Sequence, residues 1–308
     1  MGLRLLALIG FFLAARTSRR QLRELLAEVF GIRVSLGALS EAETKVSAAV
    51  AAPVDAAVAH AQAHPTKHVD ATTWRIEGAY AALWTIVTPL VAVYFITKDA
   101  CRDTIASLLG TLRGTLITDR GSQFGFWAMK RRQICWAHLI RKFVAFAERK
   151  DEGAKVGNGL LLVAQTMLSA WHRVRDGTLP RAQYQRMAKR AQAAMEVLLA
   201  RAVDLRLKGL SGACQDVLDH KEALFTFAFK PGVEPTNNRA ERALRAFVIW
   251  RKVSFGSQSA RGCLFAQRIM TVAQTLKLQG RSVLSFLIDA CHAHASGIAT
   301  PTLLPATQ

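Results

Sequence analysis

The sequence predicts an α/β chain, and three observations carry that reading. The hydrophobic period changes near residue 65, from helical spacing to runs rich in β-branched and aromatic residues. Three such runs follow as a meander, and a helix, a strand and a further helix come after them. Two acids, Asp70 and Asp119, stand at apparent strand ends, and a third, Glu241, lies on a later helix. That order matches a ribonuclease-H-like mixed sheet core, in which acids gather at the carboxyl ends of neighbouring strands. A helical insertion separates the second acid from the third, and an all-α, helix-turn-helix-like region precedes the core.

Residues 1–64 read as helical. The apolar run Leu5 to Ala15 is too short for a membrane span and predicts a buried helix. Ser18 is placed to cap a helix from Arg19 to Phe30, with Leu22, Leu25, Leu26 and Val29 on one face and Gly31 at its end. Ser40 is placed to cap the next helix, Glu41 to Ala52. Helix, turn and helix beside Arg19 and Arg20 permit a DNA-binding helix-turn-helix; an ordinary helical hairpin gives the same pattern. Pro53 to Pro65 reads as a linker helix.

In the core segment, residues 65–150, His68-Val69-Asp70, Ala82 to Val87 and Val91 to Ile96 read as strands. Thr88-Pro89-Leu90 makes a hairpin of the last two. A helix over about 101–112 leads to the strand Leu116-Ile117-Thr118, which runs into Asp119. Gln133 to Trp136 is a short strand and His138 to Lys150 a helix. Residues 151–235 are a helical insertion broken at Gly177 and Pro180. Residues 236–308 hold three helices, over 236–252, 260–278 and 282–295, that complete the core.

Charge narrows the function. The chain carries 41 Lys and Arg against 22 Asp and Glu, a net +19, so polyanions are the expected partners. From Arg239 to Arg261 six basic residues accompany one acid, Glu241. A carboxylate on a phosphate-attracting helix repels DNA unless a cation lies between them. Two-metal phosphoryl transfer needs such carboxylates, holding two divalent ions about 3.5–4 Å apart. Each acid also has a plainer reading. Asp70 can cap a turn before Thr72-Thr73, Asp119 can form an Asx-turn, and Glu241 can complete a capping box with Asn238 or pair with Arg245. Five scattered cysteines without a Cys-x-x-Cys argue against a disulfide framework and suit a reducing cytoplasm. Cys135 and His138 form half a zinc site with no second half in the sequence.

The chain resembles the transposases of the insertion sequence 66 family. The resemblance rests on Ser18-Arg19-Arg20-Gln21 with Phe30-Gly31-Ile32 and Ser35-Leu36-Gly37, and on His68-Val69-Asp70 with Thr73-Trp74-Arg75. It continues through Cys135-Trp136-Ala137-His138-Leu139, Thr236-Asn237-Asn238-Arg239-Ala240-Glu241-Arg242 and Leu278-Gln279-Gly280-Arg281. It implies a DDE-type transposase that binds element inverted repeats and target DNA as duplex, as a homo-oligomer with helper proteins of the element. Asp70, Asp119 and Glu241 are then the metal-binding triad for two Mg²⁺ or Mn²⁺ ions, with Cys135 and His138 accessory. Arg239, Arg242, Arg245, Arg251 and Lys252, with Arg19 and Arg20, become the DNA contacts. The family has Glu after its first Asp, where this chain has Ala71. Its full-length members carry a longer N-terminal region, so the resemblance also implies an N-terminally short copy, with a non-catalytic DNA-binding derivative or a nuclease as alternatives.

Overall fold

The computed structural model describes residues 1–305. Four helices open the chain: α1 (Leu3–Ala14), α2 (Arg19–Phe30), α3 (Leu36–Ala49) and α4 (Ala51–Ala63). Strands β1 (Thr66–Ile76), β2 (Ala79–Val87) and β3 (Ala92–Thr97) and helix α5 (Arg102–Leu109) follow. Next come β4 (Thr115–Thr118), β5 (Arg132–Ile134), α6 (Trp136–Ala147), α7 (Gly153–Arg175), α8 (Arg181–Asp204), α9 (Ser211–Asp219) and α10 (Thr226–Phe229). The chain ends with α11 (Asn238–Ser254), α12 (Ala260–Leu278) and α13 (Val283–Ser296). The fold is thus mixed α/β, with antiparallel and parallel strand pairing. It divides into two compact units. The first joins residues 1–113 to the segment from Arg239 onward, and the second is residues 114–238.

In the first unit, α2 starts and stops on its own side-chain chemistry. Ser18 and Gln21 form a reciprocal capping box, and Gly31 closes the helix at φ 66°, a conformation that costs glycine little. Leu22 and Leu26 are buried as the spacing predicts, but Val29 is 68% exposed, because only the first two turns of that face meet neighbours. The cap of α3 is Ser35, which accepts from the Ala38 amide, so the helix begins five residues earlier than a Ser40 cap requires. Ser40 lies inside the helix and accepts from Arg261 instead. The stretch expected to be a linker helix is helix α4, and it is packed: Pro53, Val54, Ala57 and Ala61 are buried. Pro53 sits in the first turn, where its missing N–H has no helical acceptor to lose. As expected, α1 is a buried helix, packed on α3 and α13. Among the described residues, no helix is long and apolar enough to cross a membrane.

The three strands of this unit form an antiparallel meander in the order β3-β2-β1. Thr88 closes the β2–β3 hairpin. Its N–H donates to the Val91 carbonyl and its hydroxyl accepts from the Leu90 and Val91 amides. The β1–β2 turn places Glu77 and Gly78 at φ 52° and 81°, as a two-residue hairpin of this twist requires. β1 is longer than its sequence reading. Thr72, Thr73, Trp74 and Ile76 continue the ladder against β2, so Asp70 lies in the strand's interior rather than at its end.

The outer strand β3 is covered by a side-chain ladder. Thr275, Thr271 and Gln267 lie four residues apart on α12 and accept from the backbone N–H groups of Ala92, Tyr94 and Ile96 at 3.1, 3.3 and 2.7 Å. An exposed strand edge invites pairing with other chains, and this stripe removes it. Thr275 also donates to the Ala92 carbonyl at 3.2 Å. Thr275→Val, which keeps the shape and strands both groups in a buried place, should cost about 2 kcal/mol. A chemical melt showing no loss would mean that the ladder does not stabilise the unit.

In the second unit β4 and β5 pair in parallel, with Thr118 opposite Ile134. Helices α6 to α10 enclose an aromatic core. The Trp136 ring meets Phe225 and Phe227 edge-on, with centroids 5.1 and 5.2 Å away, and its indole donates to the Leu224 carbonyl at 2.6 Å. Buried Gln133 ties β5 to the same segment, donating to the Leu224 carbonyl and accepting from the Phe227 amide. Gly177 and Pro180 separate α7 from α8, as their turn chemistry predicts.

Candidate active site

In the first unit, register decides where Asp70 points. Asp70 stands opposite Thr85, and Thr85 opposite Tyr94, so these three residues share one face of the sheet. Trp74, four residues along β1, shares that face. Helix α11 covers it: the Tyr94 hydroxyl donates to the Ala243 carbonyl at 2.9 Å, and Phe247 packs on Tyr94 and Trp74 with centroids 4.8 and 5.4 Å away. Burial raises the Tyr94 phenol's pKa, so the group remains a hydrogen-bond donor. Glu241 lies in the first turn of α11, flanking the buried stripe Ala240, Leu244 and Phe247. Asp70 therefore lies on the sheet face that α11 covers, and Glu241 lies in the first turn of that helix. Both side chains are partly exposed.

The far end of α11 is pinned to β1. Ser257 donates its N–H to the Arg75 carbonyl at 2.9 Å and accepts at its hydroxyl from the Trp74 indole at 3.2 Å. Gly256 between them has φ 102°, and a Cβ there would stand 2.3 Å from the Arg75 oxygen. Only glycine permits this approach, which fixes the helix lengthwise over the sheet. The Arg251 guanidinium adds hydrogen bonds to the Thr73 carbonyl and hydroxyl.

In the second unit, Asp119 follows β4 directly and Cys135 follows β5, so both stand at the carboxyl end of one parallel pair. That end is where open α/β sheets place ligands. Asp119 takes the Asx-turn geometry, its Oδ1 accepting from the Gly121 amide at 2.9 Å. A buried arginine lies beneath: Arg132 donates to the Asp119 carbonyl at 3.1 Å and to the Thr118 hydroxyl at 3.3 Å. The sequence reading did not single out Arg132, since a basic residue in a short strand looks like surface. His138 is in the first turn of α6, and its ring and the Cys135 sulfur come within 4.8 Å. Cys135 is fully buried and accepts from the Asn237 amide at 3.1 Å.

Taken one by one, Asp70, Asp119 and Glu241 each carry carboxylate oxygens, the hard donors that Mg²⁺ or Mn²⁺ prefers. Asp70 and Asp119 each hold one oxygen in place with a backbone amide, Asp70 through Ala71 at 2.8 Å. Cys135 and His138 are soft donors and suit zinc, for which they supply two of the usual four.

The basic residues sort by what already holds them. Arg19 is tied to Glu43 in a two-point ion pair that raises its pKa, and Arg20 beside it is exposed. Arg239 and Arg242 line a pocket of about 400 Å³ with Lys277, so three cations share one concavity. Arg245 and Lys252 are exposed on α11.

The thiols give a simple test of the packing. Burial pushes the Cys214 and Cys291 thiols up to about 11, and Cys135 and Cys263 are buried too. Cys101 alone is exposed. Iodoacetamide at pH 8 should modify Cys101 alone in the folded chain, read by intact mass. Two or more fast additions would contradict this burial.

Mixed α/β architecture, a net charge of +19 and an acid in the first turn of a basic helix are features expected of a protein that handles polyanions. The particular family comes from comparison: a family model described as Transposase IS66 family matches residues 6–264, and the chain belongs to that family. This is a family of DDE transposases, which implies an enzyme that acts on DNA and uses divalent metal. No curated protein matches the chain significantly.

Proposed function

We propose that the chain cleaves and joins DNA at the ends of an insertion sequence by two-metal phosphoryl transfer. The observation that carries this reading is the placement of Asp70 on the sheet face that α11 covers, with Glu241 in the first turn of that helix. Asp119, at the carboxyl end of β4, completes the triad. Together the three carboxylates would hold two Mg²⁺ or Mn²⁺ ions. Bound there, the ions would supply Lewis-acid activation of the attacking oxygen and stabilisation of the leaving one.

The other residues bind and position. Arg239, Arg242, Arg245, Arg251 and Lys252 hold the DNA backbone, and the helical region 1–64, with Arg19 and Arg20, supplies further DNA contacts. Phosphate contacts of this kind fix register without reading sequence. The Cys135 sulfur accepts from the Asn237 amide, one residue before α11 begins. Water opens the phosphodiester at the element end and frees a 3′-hydroxyl, which attacks target DNA. No covalent bond to the protein is needed. The chain works as a homo-oligomer on element ends, with helper proteins of the element.

The test is a strand-transfer assay with duplex carrying the element's inverted repeat, a target plasmid and Mg²⁺ or Mn²⁺. Joined products are expected. Cutting without joining would point to a nuclease on the same fold. Binding without cutting would make the chain a non-catalytic derivative, with Ala71 as the first position to restore to Glu.

A further inference from the structure

The first unit holds a cavity of about 650 Å³ that the triad does not use. Its size is within the roughly 300–1,000 Å³ range of small-ligand pockets. Trp250 of α11 forms one wall, half-buried and stacked on Phe247 at 5.8 Å. Arg19, Arg20 and Arg261 approach from the starts of α2 and α12, with Glu43 as the lining acid.

The cations are not equivalent. Glu43 neutralises Arg19. Arg261 is held by two hydroxyls, Ser40 at 2.5 Å and Thr44 at 3.2 Å, which orient the guanidinium without cancelling its charge. Arg20 is exposed and has no ion-pair partner among the described residues. The cavity therefore offers two uncompensated guanidinium groups beside an aromatic wall. An independent feature stands next to it. Phe255, between the lining residues Ser254 and Gly256, is 75% exposed and held at φ 58°. A bulky side chain in left-handed backbone is strained, and such strain persists where the surroundings impose it. Water gains nothing from an aromatic ring displayed in this way, whereas a π-face partner does.

We propose that this cavity is a nucleotide pocket that takes an unpaired base of DNA. Trp250 stacks on the base, Phe255 offers a second aromatic surface beside it, and Arg20 and Arg261 hold the flanking phosphates. Anionic charge and a flat π-system in one ligand are what the lining selects. A blunt duplex keeps its bases stacked inside and cannot fill it, so the pocket favours ends with unpaired nucleotides. This inference rests on the reading of the chain as a DNA-handling protein and is independent of the triad.

The experiment uses the full chain in EDTA, so that no cleavage intervenes. Two duplexes of the same sequence are compared, one blunt and one ending in an unpaired tract with 2-aminopurine in it. The expected result is about tenfold tighter binding of the second, with quenched 2-aminopurine fluorescence. Trp250→Ala should abolish both the preference and the quenching and leave blunt-duplex affinity unchanged; Trp250→Phe should restore both. Arg20→Ala, at an exposed site that folding does not need, should reduce the preference several-fold. Equal affinity for the two duplexes, a preference that survives in folded Trp250→Ala protein, or one that is undiminished in Arg20→Ala protein, would overturn the proposal. A chain that never cuts but keeps the preference refutes only the catalytic reading. A chain that cuts and joins without the preference refutes only the pocket.

Discussion

Asp70→Asn, Asp119→Asn and Glu241→Gln are each expected to lower metal-dependent cleavage at an element end by roughly a thousandfold or more, while DNA binding persists. The structure explains why the two effects should separate. In Asp119→Asn the amide oxygen can still accept from the Gly121 amide, and in Asp70→Asn from the Ala71 amide, so local geometry survives. Only the negative charge is lost, and Mg²⁺ depends on it. Binding is expected to come from arginines and lysines, which these changes leave alone, and loss of an acid from a basic surface reduces repulsion of phosphate. Melting curves of all three variants should overlay the parent's within about 1 kcal/mol, since a neutral isostere creates no cavity. Cleavage by Glu241→Gln at the parental rate would remove Glu241 from the triad and return it to a purely structural role.

The second large effect is on stability, at Gly157→Ala. A Cβ at Gly157 of α7 would lie 2.2 Å from the Ala147 nitrogen and 2.5 Å from the Phe146 carbonyl carbon, both backbone atoms. Backbone cannot yield as a side chain can, so α6 and α7 would have to separate and open the core around Leu160 and Phe143. A loss of about 3 kcal/mol or more is expected. Gly159→Ala is the internal control. The atoms nearest its Cβ would belong to the flexible Leu198 side chain, at 3.0 Å and beyond. The alanine gains up to about 1 kcal/mol of helix propensity, which offsets that crowding and leaves the net near zero. Equal melts for the two variants would refute the close approach of α6 and α7.

Much of the secondary structure was legible because its signals are local. Ser18, Gln21 and Gly31 set the ends of α2 through hydrogen bonds and a backbone conformation spanning a few residues. Thr88-Pro89-Leu90 fixed the β2–β3 hairpin, and Gly177 and Pro180 the break between α7 and α8. The placement of Asp119 was equally local, since Thr115 to Thr118 is a strand whose end the sequence marks with Asp119-Arg120-Gly121.

What the sequence by itself determined was the α/β class, the basic character, the acid on a basic helix and the motifs of the transposase family to which the chain belongs. The tertiary structure decided which side chains share a place. Asp70 seemed to end a strand, but pairing with β2 carries β1 on to Ile76, and only the register Asp70–Thr85–Tyr94 puts it on the face under α11. Ser35 rather than Ser40 caps α3: Ser35 accepts from the Ala38 amide, while Ser40 lies inside the helix and accepts from Arg261, far along the chain. Trp250 lines a cavity with Arg20 because Gly256 and Ser257 pin the end of α11 to β1. Local pattern records propensity over a turn or two. Register, close approach and charge compensation arise between residues on different elements, some as near in the chain as Asp70 and Thr85 and others 221 positions apart, as Ser40 and Arg261, and a local pattern records neither kind.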